Sequence, residues 1–282
     1  MPTGVAQIGA GVENEVVLGR PTQALAPWVK GYQGFSWSGT EPGLHRGLPS
    51  GNLAFIVSLS APTHVVDMPG DQSPGQFHAL FGGLHTKPAV IAHPGHGAGI
   101  EVEITPLGCR SLFGLPAGAL TNTIVELDDV LGARGAQLVE RANAAPTWPA
   151  RFAVIDDVLT QAIGPPTPLA PEIEQAWDLL VRSAGRIRIA RVAEETGWSR
   201  RHLSTRFRAE LGITPKTASR IARFERTCTL LDRGLSLADA AAAGGYYDQA
   251  HLTNEWRDLA GVTPVAWLAD NLRDRRDGAE AR

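Results

Sequence analysis

Two hydrophobic patterns divide the chain. Between residues 52 and 115 the apolar positions fall in short runs, NLAFIVSLS at 52–60, FHALFGGL at 77–84, PAVIA at 88–92, GIEVEITPL at 99–107 and SLFGL at 111–115, separated by Gly, Pro and His. Runs of this length between turn-forming residues predict strands, and many short strands in succession predict a sandwich or barrel. At 128–163 the spacing changes: DDVLGARGAQLVERA and PARFAVIDDVLTQAI place apolar residues three and four apart, as amphipathic helices do. The segment GPPTPLAP at 164–171, with four prolines and a glycine, cannot continue a helix. It predicts a linker, after which the pattern is helical almost throughout. The expected organisation is α+β: a β-barrel domain over 1–163 with a helical extension at 128–163, a linker at 164–171, an all-α domain over 172–270 and a disordered tail at 271–282.

The helical half repeats itself. In GWSRRHLSTRFRAELGITP (197–215) and GYYDQAHLTNEWRDLAGVTP (245–264), His202, Leu203, Phe207, Arg208, Gly212, Thr214 and Pro215 are matched at an offset of 49 by His251, Leu252, Trp256, Arg257, Gly261, Thr263 and Pro264. Each unit reads as helix, glycine turn, helix. Ser199 and Asp248 are the expected N-caps, Ala193 and Ala241 the small residues that let the helices approach, and Leu203 with Phe207 and Leu252 with Trp256 the buried stripes. Gly212 and Gly261 end the second helices, and Pro215 and Pro264 start the next ones.

At 100° per residue, burying Leu203 and Phe207 turns Arg201, Ser204, Thr205 and Arg208 outward; the equivalent set is Ala250, Thr253, Asn254 and Arg257. These side chains suit a major groove, where Arg reaches guanine, Asn pairs with adenine and small methyls touch thymine. Arg200 and Gln249, nearer the helix starts, suit phosphate or base. Between the units, residues 215–233 have no internal Gly or Pro and predict a linker helix about 28 Å long at ~1.5 Å per residue. That approaches the ~34 Å between successive groove faces of B-DNA. His202 and His251 are expected to support packing or a phosphate contact.

Charge sharpens this picture. The 282 residues carry a formal charge of −3, yet residues 182–226 hold 12 basic against 4 acidic side chains. A positive segment on an otherwise acidic chain fits a phosphate-facing surface. By contrast, residues 233–270 hold 2 Arg against 5 acidic residues, so the first unit is expected to dominate binding. Only Cys109 and Cys228 occur, outside any CxxC spacing, which excludes a disulfide framework and a zinc finger; both read as packing residues, Cys109 with a sensing role as the alternative. No apolar run approaches the ~18 residues of a membrane span. The first residues lack a basic, apolar leader, so the cytoplasm is the expected compartment.

Residues 180–268 resemble the DNA-binding domain of the AraC/XylS family of transcriptional regulators, through both helix-turn-helix units, the linker helix and the closing GxTP of each. The resemblance implies that the second helix of each unit enters the major groove. The stretch FGGLHTKPAVIAHPGHGAGIEVEITPLGCRSLFGLP resembles the cupin-like sensor domains that precede this module in some bacterial regulators. That implies a barrel open to a small-molecule effector. The alternatives are a metal-dependent cupin-type enzyme fused to a DNA-binding domain, and an effector-independent DNA-binding protein. The enzyme reading draws on His45, His64, His78, His85, His93 and His96, but HPGH around His93 and His96 reads as a turn, and no catalytic, cofactor or metal residue is assigned. Trp28, Tyr32, Phe35 and Trp37 line a pocket or form core. The expected partners are duplex promoter or operator DNA, RNA polymerase and a small-molecule effector, with no membrane. The chain is a monomer or a homodimer, the dimer formed through 128–163.

Overall fold

The computed structural model describes residues 13–165 and 169–269. The tail expected at 271–282 and part of the linker lie outside the described residues. Among the described residues ten strands form two antiparallel sheets. One has six strands in the order β1 (Glu13–Gly19), β2 (Val29–Ser38), β9 (Gly97–Ile104), β4 (Leu53–Ser58), β7 (Ala79–Gly82) and β10 (Ile124–Glu126). The other has four, in the order β3 (Gly43–Gly47), β8 (Ala89–His93), β5 (Thr63–Asp67) and β6 (Gly75–Phe77).

Strand alternation assigns the faces. Leu53, Phe55 and Val57 of β4 and Ile100, Val102 and Ile104 of β9 are fully buried on one face of the six-stranded sheet. They share a core with Leu138 and Ala142 of α3 (Ala133–Ala144) and with Ile155 and Leu159 of α4 (Trp148–Ala162). On the opposite face Ile56 and Leu80 meet Val65, Phe77 and Ile91 of the smaller sheet in a second, smaller core. The cupin-like barrel of the sequence reading is thus built as two sheets that do not close, because among the described residues no strand pairs across from one sheet to the other.

Four of the five expected strands form, and the fifth is corrected. SLFGL lies largely in a helix, α1 (Cys109–Phe113), opened by a 3-10 turn that Thr105 caps through the Gly108 N–H and Pro106 starts, and closed by Gly114 at φ 71°. Five residues are too few to display a helical period, so the run of apolar residues mimics a strand. The helix expected from 128 is broken at Gly132 into α2 (Leu127–Leu131) and α3. The aromatic cluster is split by the pleat of β2: Tyr32 faces the helices, packing on Phe152, while Phe35 and Trp37 stand on the other face, 5.7 Å apart. The apolar sides of α3 and α4 are spent on the chain's own sheet, so a dimer through 128–163 has to use another surface of these helices.

The all-α half comprises α5 (Pro171–Arg182), α6 (Ile189–Glu195), α7 (Arg200–Leu211), α8 (Pro215–Asp232), α9 (Leu237–Gly244), α10 (Gln249–Ala260) and a helical stretch at 264–269. One continuous core runs from Leu25 to Ala260, so the two halves are packed together.

Candidate nucleic-acid interface

The two units are built with the same local chemistry. Ser199 accepts a hydrogen bond from the His202 N–H at 3.2 Å and Asp248 one from the His251 N–H at 2.7 Å, capping α7 and α10. Both helices end on left-handed glycines, Gly212 at φ 73° and Gly261 at φ 71°. Thr214 and Thr263 then accept from the N–H groups of Thr217 and Ala266, starting the next helical turn in each unit. The imidazoles of the repeat are braces: His202 stands edge-on to Trp198 at 4.7 Å and His251 edge-on to Tyr246 at 5.3 Å. His251 Nδ1 also accepts from the Tyr247 N–H, holding the turn of the second unit. The turn aromatics Trp198 and Tyr246 were not singled out from the sequence, because nothing in their spacing shows that they face the histidines.

Leu203, Phe207, Leu252 and Trp256 are fully buried. With these inward, Arg200, Arg201, Thr205 and Arg208 are exposed on α7 and Ser204 is half-buried; on α10 Gln249, Ala250, Asn254 and Arg257 are exposed and Thr253 is half-buried. Thr205 and Thr253 donate their hydroxyls to the carbonyls of Arg201 and Gln249. Arg257 Nη1 donates to Asn254 Oδ1 at 3.3 Å, aligning two candidate base-reading groups. Between the units α8 has 18 residues, a rod of about 27 Å.

The charge count takes on a different meaning in three dimensions. Glu255 is only 7% exposed and receives Arg220 Nε and Arg223 Nη2, both at 3.0 Å, while Arg220 Nη2 also reaches Asp258 at 3.0 Å. Asp248 caps α10, and Asp239 accepts the Ser236 hydroxyl at 2.6 Å. Four of the five acidic residues of the second unit are thus consumed internally, and the fifth, Asp270, lies outside the described residues. Two linker-helix arginines are consumed with them. The exposed Arg200, Arg201, Arg206 and Arg208 have no ion pair among the described residues.

What the sequence concealed is the contact between the halves. Arg110 of α1 grips Glu210 at the end of α7 with two hydrogen bonds, Nε to Oε1 at 2.6 Å and Nη2 to Oε2 at 2.8 Å. Thr121 donates to the Leu211 carbonyl, and the backbone passes so close that a Cβ on Gly118 would lie 2.7 Å from the Gly212 nitrogen. Ser50 Oγ and the Gly51 N–H both donate to Glu225 Oε1 of α8 at 3.0 Å. Near the second unit, Pro88 lies 3.5 Å from where a Cβ on Gly261 would stand. Burial raises the pKa of the Glu225 carboxyl and the neighbouring Glu103 adds to this, against the two hydrogen bonds. No local signal marks these pairs, whose members are 90 to 175 residues apart.

The N-terminal histidines are dispersed over β3, β5, β8 and several turns, and the HPGH segment turns at Gly95, φ 92°. Among the described residues no group of three or more His, Cys, Asp or Glu is placed to hold a metal ion. Cys109 is fully buried, its thiol pushed up to about 12 by burial, and Cys228 is raised further for the same reason. No helix among the described residues is long and apolar enough to cross a membrane.

Comparison with known proteins agrees with this geometry. Residues 192–270 match the helix-turn-helix domain family HTH_18, and residues 19–126 match a domain family of unknown function, DUF6597. An uncharacterised HTH-type transcriptional regulator of Bacillus subtilis, YbfI, is 38% identical over 61 residues, a match spanning 22% of this chain and 22% of that protein. The fold is similar to crystal structures of ToxT from Vibrio cholerae. One from strain O395 has a TM-score of 0.51 at 10% identity, covering 92% of this chain and 97% of ToxT. A second, of ToxT from strain SCE256 bound to an unsaturated fatty acid, has a TM-score of 0.50 at 10% identity over 93% of this chain and 96% of ToxT. Residues 192–270 are therefore a helix-turn-helix domain of the HTH_18 family, carried behind a sheet-rich domain in a chain whose fold is similar to that of ToxT.

Proposed function

We propose that this chain is a sequence-specific DNA-binding transcriptional regulator. It inserts α7 and α10 into successive major-groove segments, and its sheet-rich domain controls that insertion. One observation carries the reading: two units capped at equivalent positions, each with an exposed polar second helix, stand at the ends of a linker helix whose length approaches one helical turn of DNA. Arg200, Arg201, Ser204, Thr205 and Arg208 form the first reading face, and Gln249, Ala250, Thr253, Asn254 and Arg257 the second. With four of the five acidic residues of the second unit held by internal ion pairs or hydrogen bonds, both faces engage, and the first supplies more of the phosphate attraction through Arg200, Arg201, Arg206 and Arg208.

Control runs through the contact between the halves. Arg110, Gly118 and Thr121 hold the C-terminal end of α7, so any ligand or partner that changes docking shifts the population able to seat both helices. The unsaturated fatty acid held by ToxT supports the reading that a small molecule can act within this fold. Non-enzymatic action in the cytoplasm, with RNA polymerase as a further partner, completes the proposal. Gel-shift or anisotropy measurements on genomic fragments at several salt concentrations test it. Saturable, salt-dependent binding that prefers particular fragments is expected; no binding to any fragment at low salt refutes it. Metal analysis of the purified protein tests the enzyme alternative, which stoichiometric iron, zinc or manganese would revive.

A further inference from the structure

A cavity of about 320 Å³ opens where the sheet-rich half meets α5 and α8, the space of about ten water molecules. Its floor is apolar, with Trp177, Leu180 and Ile221, and its polar side chains are Glu225, Arg226 and Thr229 of α8; Gly51 supplies the wall from the other half. Volume and lining fall at the small end of the range of small-molecule sites, which are mostly apolar with a few convergent polar groups.

The polar end has a definite chemistry. Glu225 Oε1 is occupied by Ser50 and Gly51, but Oε2 accepts no hydrogen bond among the described residues. The point where a Cβ on Gly51 would stand is 3.2 Å from Glu225 Oε2 and 3.8 Å from Trp177 Cζ2. Glu225 Oε2, with no hydrogen bond among the described residues, and the Trp177 indole therefore stand on the same side of Gly51, at the polar end of the cavity. Carboxylate and aromatic ring together favour an ammonium, by ion pairing and by attraction to the ring. The electrostatic surroundings agree: burial, with a smaller contribution from Glu103, disfavours ionisation of Glu225, a cost that a bound cation offsets, whereas Arg226 is exposed.

We infer that this cavity binds a small primary amine with an aromatic or branched apolar body, its ammonium on Glu225 Oε2 beside Trp177 and its body on Leu180 and Ile221. Because Gly51 belongs to one half and α5 and α8 to the other, the bound amine adds to the contact between them and favours the docked arrangement. That consequence rests on the regulatory reading above, whereas the site itself does not.

Calorimetric titration of the full chain, without DNA, keeps the two apart. The probes are 2-phenylethylamine, its neutral analogue 2-phenylethanol and the anion 3-phenylpropanoate. The amine is expected to saturate one site and to bind at least about tenfold more tightly than either analogue. Glu225→Gln should weaken it about tenfold or more, and Ala222→Phe, which fills the cavity from α8, should abolish binding. Should Glu225→Gln fail to unfold cooperatively, the probe series and Ala222→Phe decide. No saturable amine binding up to ~10 mM overturns the inference, as do equal affinities for the three probes, tighter binding of the anion, or full binding by Ala222→Phe.

Discussion

Removing the Arg110 guanidinium should loosen the sheet-rich domain from α7 by an amount the structure allows to be bounded. The Glu210 side chain is 14% exposed and that of Arg110 29%, and their contact is bidentate. An exposed ion pair contributes about 0–1 kcal/mol, and breaking a fully buried one costs about 3–5 kcal/mol because a charge is stranded. The partial exposure here places Arg110→Ala between these limits, at about 1–2 kcal/mol. Since about 1.4 kcal/mol is a factor of ten, the docking equilibrium should move roughly tenfold toward separation. Among the described residues only Thr121 then holds the end of α7 by a hydrogen bond from that half. A double-mutant cycle of Arg110→Ala and Glu210→Ala in chemical unfolding isolates the pair, with hydrogen exchange of the last amides of α7 as a local readout. A coupling energy near zero, with α7 exchange unchanged, would refute the docking argument. With docking loosened, DNA affinity should change in Arg110→Ala and return toward its original value in the charge-swapped pair Arg110→Glu with Glu210→Arg.

Further outcomes follow from the same geometry. Arg201→Ala should relax sequence preference at one base pair by about 1–3 kcal/mol. Arg200→Ala should weaken all sequences alike and lower the salt slope by about one; equal behaviour of the two in binding-site selection would show the face assignment to be wrong. Glu255→Ala leaves Arg223 without an ion pair and Arg220 with Asp258 alone, and a loss of about 2–3 kcal/mol concentrated in the exchange of α9 and α10 is expected; unchanged exchange there contradicts it. Ser199→Ala and Asp248→Ala should each cost about 1 kcal/mol in thermal or chemical unfolding. Burial lowers the His85 pKa from 6.5 to about 4, so the unfolded chain binds the proton first. That contribution to stability is complete above about 6.5 and is lost as the pH falls toward about 4; a His85→Gln variant should flatten this limb of the stability profile.

The sequence by itself determined the local features that repeat or follow a helical period. Ser199 and Asp248 cap helices because their oxygens meet amides three residues ahead, and the 49-residue repeat is visible because each unit needs the same caps, stripe and glycine exit. Leu203 and Phe207 are inward, and Arg201 and Thr205 outward, because helical geometry alone sets those angles. SLFGL was misread for the complementary reason: a one-turn helix has no period to see, and its helical state comes from the Thr105 cap and the burial of Leu112 and Phe113. Tertiary structure decided whether the sheet closes, since that turns on hydrogen bonds between distant strands. It also decided what the charges do. Glu255 counted as repulsion toward DNA until folding set it against Arg220 and Arg223. The grip of Arg110 on Glu210, and the free oxygen of Glu225 beside Trp177 and Gly51, depend on residues distant in sequence meeting at one place, which no pattern along the chain encodes.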